Sequence, residues 1–219
     1  MNEKSKSSLF GLLEFIANIA VLNLLFLLCC LPVVTIGASL TALYAGLRSM
    51  VKKEPCLRAF WLAFRKSFLR ATLAWVILLP LNIFFISNVV FNCYYLAQGS
   101  VLGLIVSILF AALLLSITTT VFLFYSRFEA TVFQLLRYGV SLSFSHPVRS
   151  LLIALFTWAP FLLFFLAFPI FLALGMVWLL FYFSLTATAA IWLMNGPFRA
   201  FARDVLGMDV TTPAQTEEE

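Results

Sequence analysis

Charge is what this sequence has least of. Aspartate, glutamate, lysine and arginine make up 11% of its 219 residues, against roughly 25% in an ordinary soluble domain. With 63% of residues hydrophobic, there is too little polar surface to keep a globular fold in water, and a soluble protein is excluded. Histidine occurs once, as His146. It precedes Pro147 with no acid nearby in its loop and reads as an interfacial loop residue rather than a proton carrier. The chain has no paired-histidine metal motif, no phosphate-binding glycine loop and no intramembrane carboxylate pair. Catalysis is therefore disfavoured, and neither a cofactor nor a metal is expected. Cys29, Cys30, Cys56 and Cys93 lack metal-ligand spacing, and a bond between adjacent cysteines would be strained. They read as small apolar fillers, with a bond from Cys93 to Cys29 or Cys30 as the alternative.

What the chain does have is three long runs without charge, 15–47, 71–126 and 150–198, of 33, 56 and 49 residues. One helical crossing of a hydrocarbon core about 30 Å thick takes roughly 20 residues. The two longer runs each hold two crossings, divided at Gln98, Gly99 and Ser100 and at Pro169. The first run holds either one tilted helix or two short ones separated at residues 32–37, where Pro32 stops a helix and Gly37 permits a turn. With two crossings, all 14 basic residues fall on one face; with one, Lys4 and Lys6 fall opposite the rest. The positive-inside rule favours two. The expected fold is an all-α polytopic transmembrane bundle of six helices, near 12–31, 35–50, 71–96, 101–126, 150–168 and 170–194. It forms a single domain over residues 1–200, with both termini cytoplasmic and an acidic cytoplasmic tail at 201–219. A count of five, or a re-entrant second helix, fits the short small-residue run 35–50 as well. Lys4 and Lys6 before an apolar run resemble a secretory signal, but no small-residue cleavage site follows, so the first helix is expected to stay.

The inner charged segments 48–70 and 127–149 are each 23 residues long, and their arginines coincide at an offset of 79: Arg48 with Arg127, Arg58 with Arg137, Arg70 with Arg149. One residue of slip then pairs Phe64 with Phe144, Pro80 with Pro160, Phe84 with Phe164 and Phe85 with Phe165. The pattern points to an internal repeat of about 80 residues in parallel orientation, although basic loops flanking any membrane helices also place arginines at their ends. Each segment further reads as an amphipathic helix in the interface plane. Leu57, Phe60, Trp61, Phe64 and Phe68 form one apolar stripe, with Arg58, Arg65, Lys66 and Arg70 outside it. In the second, Val132, Phe133, Leu135, Leu136 and Val140 oppose Gln134, Arg137, Ser141 and Ser145. The net charge of +6 on 48–70 makes Arg58, Arg65, Lys66 and Arg70 candidate contacts for anionic lipid headgroups. Nucleic acid is not expected, because these charges flank membrane helices.

Within the uncharged runs stand polar side chains. Asn18 shares a face with Glu14, Val21 and Leu25, and Asn23 lies on another. Asn82, Asn88 and Asn92 follow in the third helix, the last two on one face. Ser116, Thr118, Thr119 and Thr120 lie in the fourth, and Ser184, Thr186 and Thr188 in the sixth. Such groups turn inward and bond across helices, while Gly37, Thr41, Ala42 and Gly46 allow close approach. A polar substrate path between the repeats is the sharper alternative, although no charged residue stands deep in a span to couple an ion or proton. At 32–37, Thr35 is expected to cap the following helix at the amide of Gly37 or Ala38.

Asn23-Leu24-Leu25, Leu31-Pro32-Val33-Val34-Thr35-Ile36-Gly37-Ala38, Tyr44 and Phe64-Arg65-Lys66-Ser67-Phe68 together resemble the signature of the YesL-like bacterial membrane proteins. The resemblance runs from about Phe10 to Arg203 and is sharper in the first half. It implies a multi-pass protein of the bacterial cytoplasmic (inner) membrane, often encoded beside carbohydrate uptake and degradation genes, and implies no established activity. Two functional expectations follow. One is a non-catalytic accessory or scaffold protein whose partners are the lipid bilayer and a sugar transport permease. The other is a small transporter for a polar uncharged solute.

Overall fold

The computed structural model describes residues 3–52, 54–94, 101–128 and 131–206, and no strand occurs among them. The helices are α1 (Glu3–Cys30), α2 (Ile36–Val51), α3 (Cys56–Tyr94), α4 (Val101–Tyr125), α5 (Val132–Ser145), α6 (Pro147–Leu166), α7 (Phe168–Ala173), α8 (Gly175–Val177) and α9 (Phe183–Leu206). A 3₁₀ turn, Val33–Thr35, precedes α2, and a π-helical segment, Trp178–Tyr182, precedes α9. Five runs are long and apolar enough to cross a membrane: Leu13–Cys30, Val33–Val51, Cys56–Tyr94, Val101–Tyr125 and Gly175–Phe201. The bent pair Val132–Ser145 and Pro147–Ala159 would make a sixth. The protein is an all-α bundle of membrane helices. Gln98, Gly99 and Ser100, the side chains of Pro160, Phe164 and Phe165, and the acidic residues from 207 onward lie outside the described residues.

α1 stops at Cys30, two residues before Pro32. The last carbonyls of a helix have no intrahelical donor, and the Thr35 hydroxyl supplies one, donating to Cys29 O at 2.6 Å and Pro32 O at 2.7 Å. This differs from the expected cap: Thr35 makes no side-chain bond to the start of α2. Its backbone, at φ −92° and ψ 0°, is not the extended conformation that aims a capping oxygen at the following amides. The hydroxyl closes the preceding helix instead.

α2 is the buried centre of the bundle, with eleven of its 16 residues inside. Its small residues make this packing possible. A Cβ added at Gly37 would stand 2.7 Å from the Phe122 ring and 2.8 Å from Ala71 O, and one at Gly46 would stand 3.0 Å from Leu22 and 3.3 Å from Phe60. Gly46 thus faces the start of α3, and Gly37 faces Ala71. The 3₁₀ turn is tied to the same stretch, since the Trp75 indole donates to Val33 O at 2.7 Å. α2 is about 24 Å long at 1.5 Å per residue and pairs with the first half of α3 only.

α3 departs from the expectation of a separate interfacial helix over 48–70. Residues 56–79 contain neither proline nor glycine, and backbone hydrogen bonding does not stop where charge does. The basic segment and the third span therefore form one helix of 39 residues. Pro80 is carried within it. One side buries Cys56, Phe60, Ser67, Ala71, Ala74, Trp75, Leu78 and Asn82, a spacing of three and four that continues across Arg70. The single apolar stripe expected at the start of α3 is divided: Phe60 enters the core, whereas Leu57, Trp61 and Phe68 stay exposed.

The second amphipathic segment does form its own helix, α5. Gln134 Oε1 accepts from the Thr131 amide at 3.2 Å and the Thr131 hydroxyl at 3.1 Å at its start. α5 buries Leu135, Gly139, Leu142 and Ser143 against the bundle, while Phe133 and Val140 of the expected apolar face stay exposed. A Cβ at Gly139 would overlap Val121 of α4, so this close approach, rather than the number of apolar side chains, selects the face. At His146, φ is −135° and ψ 64°, outside the helical region that a following proline disfavours. There the chain bends 110° into α6. The last expected helix, 170–194, is broken: α7 starts at Phe168 with Pro169 in its first turn, and the continuous helix α9 begins only at Phe183 and runs to Leu206.

Candidate functional site

The asparagines are used between helices. Asn23 Oδ1 on α1 accepts the Ser184 amide at 2.9 Å, and the Ser184 hydroxyl donates to Ile19 O at 3.2 Å. Ser184 is the second residue after the π segment, so Asn23 holds the first turn of α9 beside it. Asn82 Nδ2 donates to Leu78 O at 2.8 Å and to Thr118 Oγ1 on α4 at 3.0 Å, while its Oδ1 is buried with no hydrogen-bond partner. Asn92 Nδ2 reaches Asn88 Oδ1 at 3.2 Å and Ser107 Oγ on α4 at 3.0 Å. Asn18 is half-buried on α1 and takes no part in the Asn23 contact. Asn82 and Asn92 fasten α3 to α4, and Asn23 fastens α1 to α9.

Four hydroxyls gather where α5 bends into α6. Ser116 and Thr120 of α4 meet Ser143 and Ser150: Ser143 lies 2.7 Å from Ser150, Thr120 lies 2.9 Å from Ser150 and Ser116 lies 3.0 Å from Ser143. Ser116 also bonds Ser150 directly. All four are buried. Ser143 and Ser150 carry no sequence signal of their own, because each stands among ordinary loop-flanking residues, and only the bend brings them together. The cluster includes no group to take a proton from a hydroxyl, so its chemistry is mutual satisfaction of polar atoms.

The third feature is electrostatic. A cavity of about 340 Å³ at the ends of α2 and α4 is lined by Ala45, Arg48, Ser49, Lys52, Ser126 and Arg127. Arg48 Nη2 donates to Leu123 O at 3.5 Å, one of the carbonyls that the end of α4 leaves open. The Arg127 guanidinium lies over the Phe198 ring, 5.4 Å from its centroid, and its Nη1 is buried with no hydrogen-bond partner. Burial, followed by the positive charge of Arg199, lowers the Arg127 pKa. The candidate lipid contacts Arg58, Arg65, Lys66 and Arg70 are exposed along α3, with Arg65 5.4 Å above the Trp61 ring. These four do not line the cavity. In the sequence Arg48 and Arg127 stand out as aligned positions, but nothing there shows that they face one space.

A second cavity, of about 220 Å³, is walled by Trp75, Trp158, Phe26, Phe183 and Leu40, with Asn82 among its lining. Among the described residues no group of three His, Cys, Asp or Glu side chains could hold a metal. All four cysteines are free, so the alternative bond from Cys93 to Cys29 or Cys30 is not made.

No curated protein and no solved structure matches the chain. Residues 19–89, which hold the C-terminal part of α1, the 3₁₀ turn, α2 and most of α3, match a family described as a protein of unknown function, DUF624.

Proposed function

We propose that this chain is a YesL-like, non-catalytic accessory or scaffold protein of the bacterial cytoplasmic membrane, with both termini in the cytoplasm. On this reading it works beside a sugar transport permease. The observation that carries it is the use of the intramembrane polar groups: Asn23, Asn82 and Asn92 bond across helix pairs. Side chains whose donors are committed to holding helices together are poorly placed to line a route for a polar solute, and of the three only Asn82 keeps an unpartnered atom beside a cavity. The exposed basic and aromatic side of α3, with Arg58, Arg65, Lys66, Arg70, Trp61 and Phe68, suits anionic headgroups at the membrane surface.

The transporter reading has one observation in its favour, the 110° break between α5 and α6 beside four buried hydroxyls, since broken helices often border transport sites. Cross-linking in native membranes followed by purification separates the two. Recovery of permease subunits with the chain supports the accessory role. Uptake of a neutral sugar by liposomes containing this chain alone would replace it with the transporter.

A further inference from the structure

The cavity between the ends of α2 and α4 brings together three cationic side chains and two hydroxyls, with no carboxylate in its lining among the described residues. Helix ends explain part of this, because the carbonyl-rich ends of α2 and α4 attract positive charge. They do not explain the rest. A guanidinium has five N–H donors in a planar fork, and among the described residues Arg48 has one acceptor, Leu123 O, at the long distance of 3.5 Å. Arg127 Nη1 is shut off from water with none. Glu54, two residues after Lys52, is exposed and does not line the cavity; its amide, not its carboxylate, bonds Ser49 O, and Glu129, two residues after Arg127, lies outside the described residues. Cations gathered without an anion are held against their own repulsion, and a buried N–H without an acceptor is costly. The repulsion is relieved if an anion occupies the space.

We propose that this cavity binds a phosphoryl group, carried by a phospholipid headgroup or as free phosphate. Arg48 and Arg127 present planar donor forks to its oxygens, Lys52 adds a point charge at the exposed rim, and Ser49 donates its hydroxyl, whereas the Ser126 hydroxyl donates to Leu123 O at 2.7 Å. The geometry matches the ligand class: guanidinium pairs with phosphate oxygens through two parallel bonds, and a cavity of this volume is within the range of small-ligand sites. Its place also fits a headgroup, since Arg127 is the first charge after the uncharged run 71–126. The exposed arginines of α3 differ in kind: water competes for them, and any contact they make is with the surface as a whole. The site does not depend on the accessory reading, and it applies equally to a transporter.

Full-length protein in neutral detergent micelles tests the proposal in two arms. One measures by native mass spectrometry the retention of dioleoylphosphatidylglycerol against dioleoylglycerol, which has the same tails and no phosphate. The other titrates inorganic phosphate against chloride by calorimetry. Retention of the phospholipid without response to phosphate assigns a headgroup, and phosphate binding that phospholipid does not displace assigns the free anion. In either case Arg127→Gln should weaken binding at least tenfold and Lys52→Gln, at an exposed position where folding is not at stake, about threefold, while Arg65→Gln leaves it unchanged. Binding that ignores both Arg127→Gln and Lys52→Gln, or wild-type protein that prefers neither phospholipid nor phosphate, overturns the site.

Discussion

Gly37 of α2 abuts Ala71 of α3, and the positions 79 residues further on, Ser116 of α4 and Ser150 of α6, are again in contact. The first pair meets by having almost no side chain, the second by exchanging a hydrogen bond. Another pair shows the same exchange of means. Gly46 makes room for Phe60 in the first half, whereas at the aligned positions in the second half the glycine is on the other helix, Gly139, and it abuts Val121 rather than the aligned Tyr125. The two halves differ most where Phe68 aligns with Pro147. α3 runs through Phe68 without interruption, while the second half stops at His146 and bends by 110°. Proline removes the amide that the helix needs and leaves polar groups to be satisfied. Ser143 and Ser150, on either side of that break, are satisfied by Ser116 and Thr120 of α4. A shared pattern of helix contacts thus accepts either a continuous, tightly packed helix or a broken one with hydroxyls at the break.

The comparison is broken most severely by moving the break. Phe68→Pro places proline in the interior of α3 at the position aligned with Pro147, where the cost is about 3 kcal/mol or more. We expect it to abolish folded, monodisperse protein on size exclusion in detergent. Normal yield would mean that continuity of α3 is not what holds α2 in place.

The contact pairs are tested next by filling the glycines. Leucine at Gly139 must displace Val121, and leucine at Gly37 meets both a ring and the backbone oxygen of Ala71, which cannot rotate away. Overpacking of this kind costs about 1–3 kcal/mol and sometimes more. At Gly175 nothing lies within 4 Å, so Gly175→Leu should change stability by no more than about 0.5 kcal/mol. Thermal aggregation midpoints of the three variants decide the matter. Equal midpoints would remove the claim that these glycines are packing positions.

Much of the fold was legible because its signals are local. The uncharged runs mark where membrane helices lie, and Pro32 ends α1 within two residues of itself. Reading helix ends from charge failed at Arg70 and Ala71, since nothing in the backbone chemistry of 56–79 ends a helix there. The Thr35 hydroxyl was assigned to the wrong helix because α1 and α2 both leave open backbone groups at the turn, and local conformation decides which is served. Which part of α5 meets the bundle is hidden for a different reason. Counting apolar residues favours Phe133 and Val140, but the fit of Gly139 onto Val121 requires knowing that α4 lies there. The Ser143–Ser150 contact is a product of the bend and the basic cavity a product of how the ends of α2 and α4 meet, and sequence spacing encodes neither.

A smaller effect is expected from the hydroxyl cluster. Ser150 bonds Ser116, Ser143 and Thr120, so Ser150→Ala removes its shared partner and leaves Ser143 with one fewer bond. Buried hydroxyls left without partners cost about 1–3 kcal/mol. Thr120 keeps its bond to Ser116 O, which places the expected loss at about 1 kcal/mol. Steric trapping or mild SDS unfolding of wild type and Ser150→Ala would measure it, and an unchanged unfolding curve would show that the cluster contributes nothing to holding the broken half together.

Asn82 should matter least. Its bond to Thr118 joins α3 to α4, and interhelical hydrogen bonds inside membranes average about 0.6 kcal/mol. Against that gain stands Asn82 Oδ1, buried without a partner. Leucine has a similar volume and no orphaned atom. Thr118 is not stranded by the exchange, because its hydroxyl already donates to Leu114 O at 2.7 Å. The two terms nearly cancel, and Asn82→Leu is expected to change stability by less than about 1 kcal/mol, measured in the same unfolding assay. A clear loss would have a specific meaning. Asn82 lines the cavity walled by Trp75, Trp158 and Phe183, so a large penalty would show that Oδ1 accepts a bond from something occupying that cavity in the membrane.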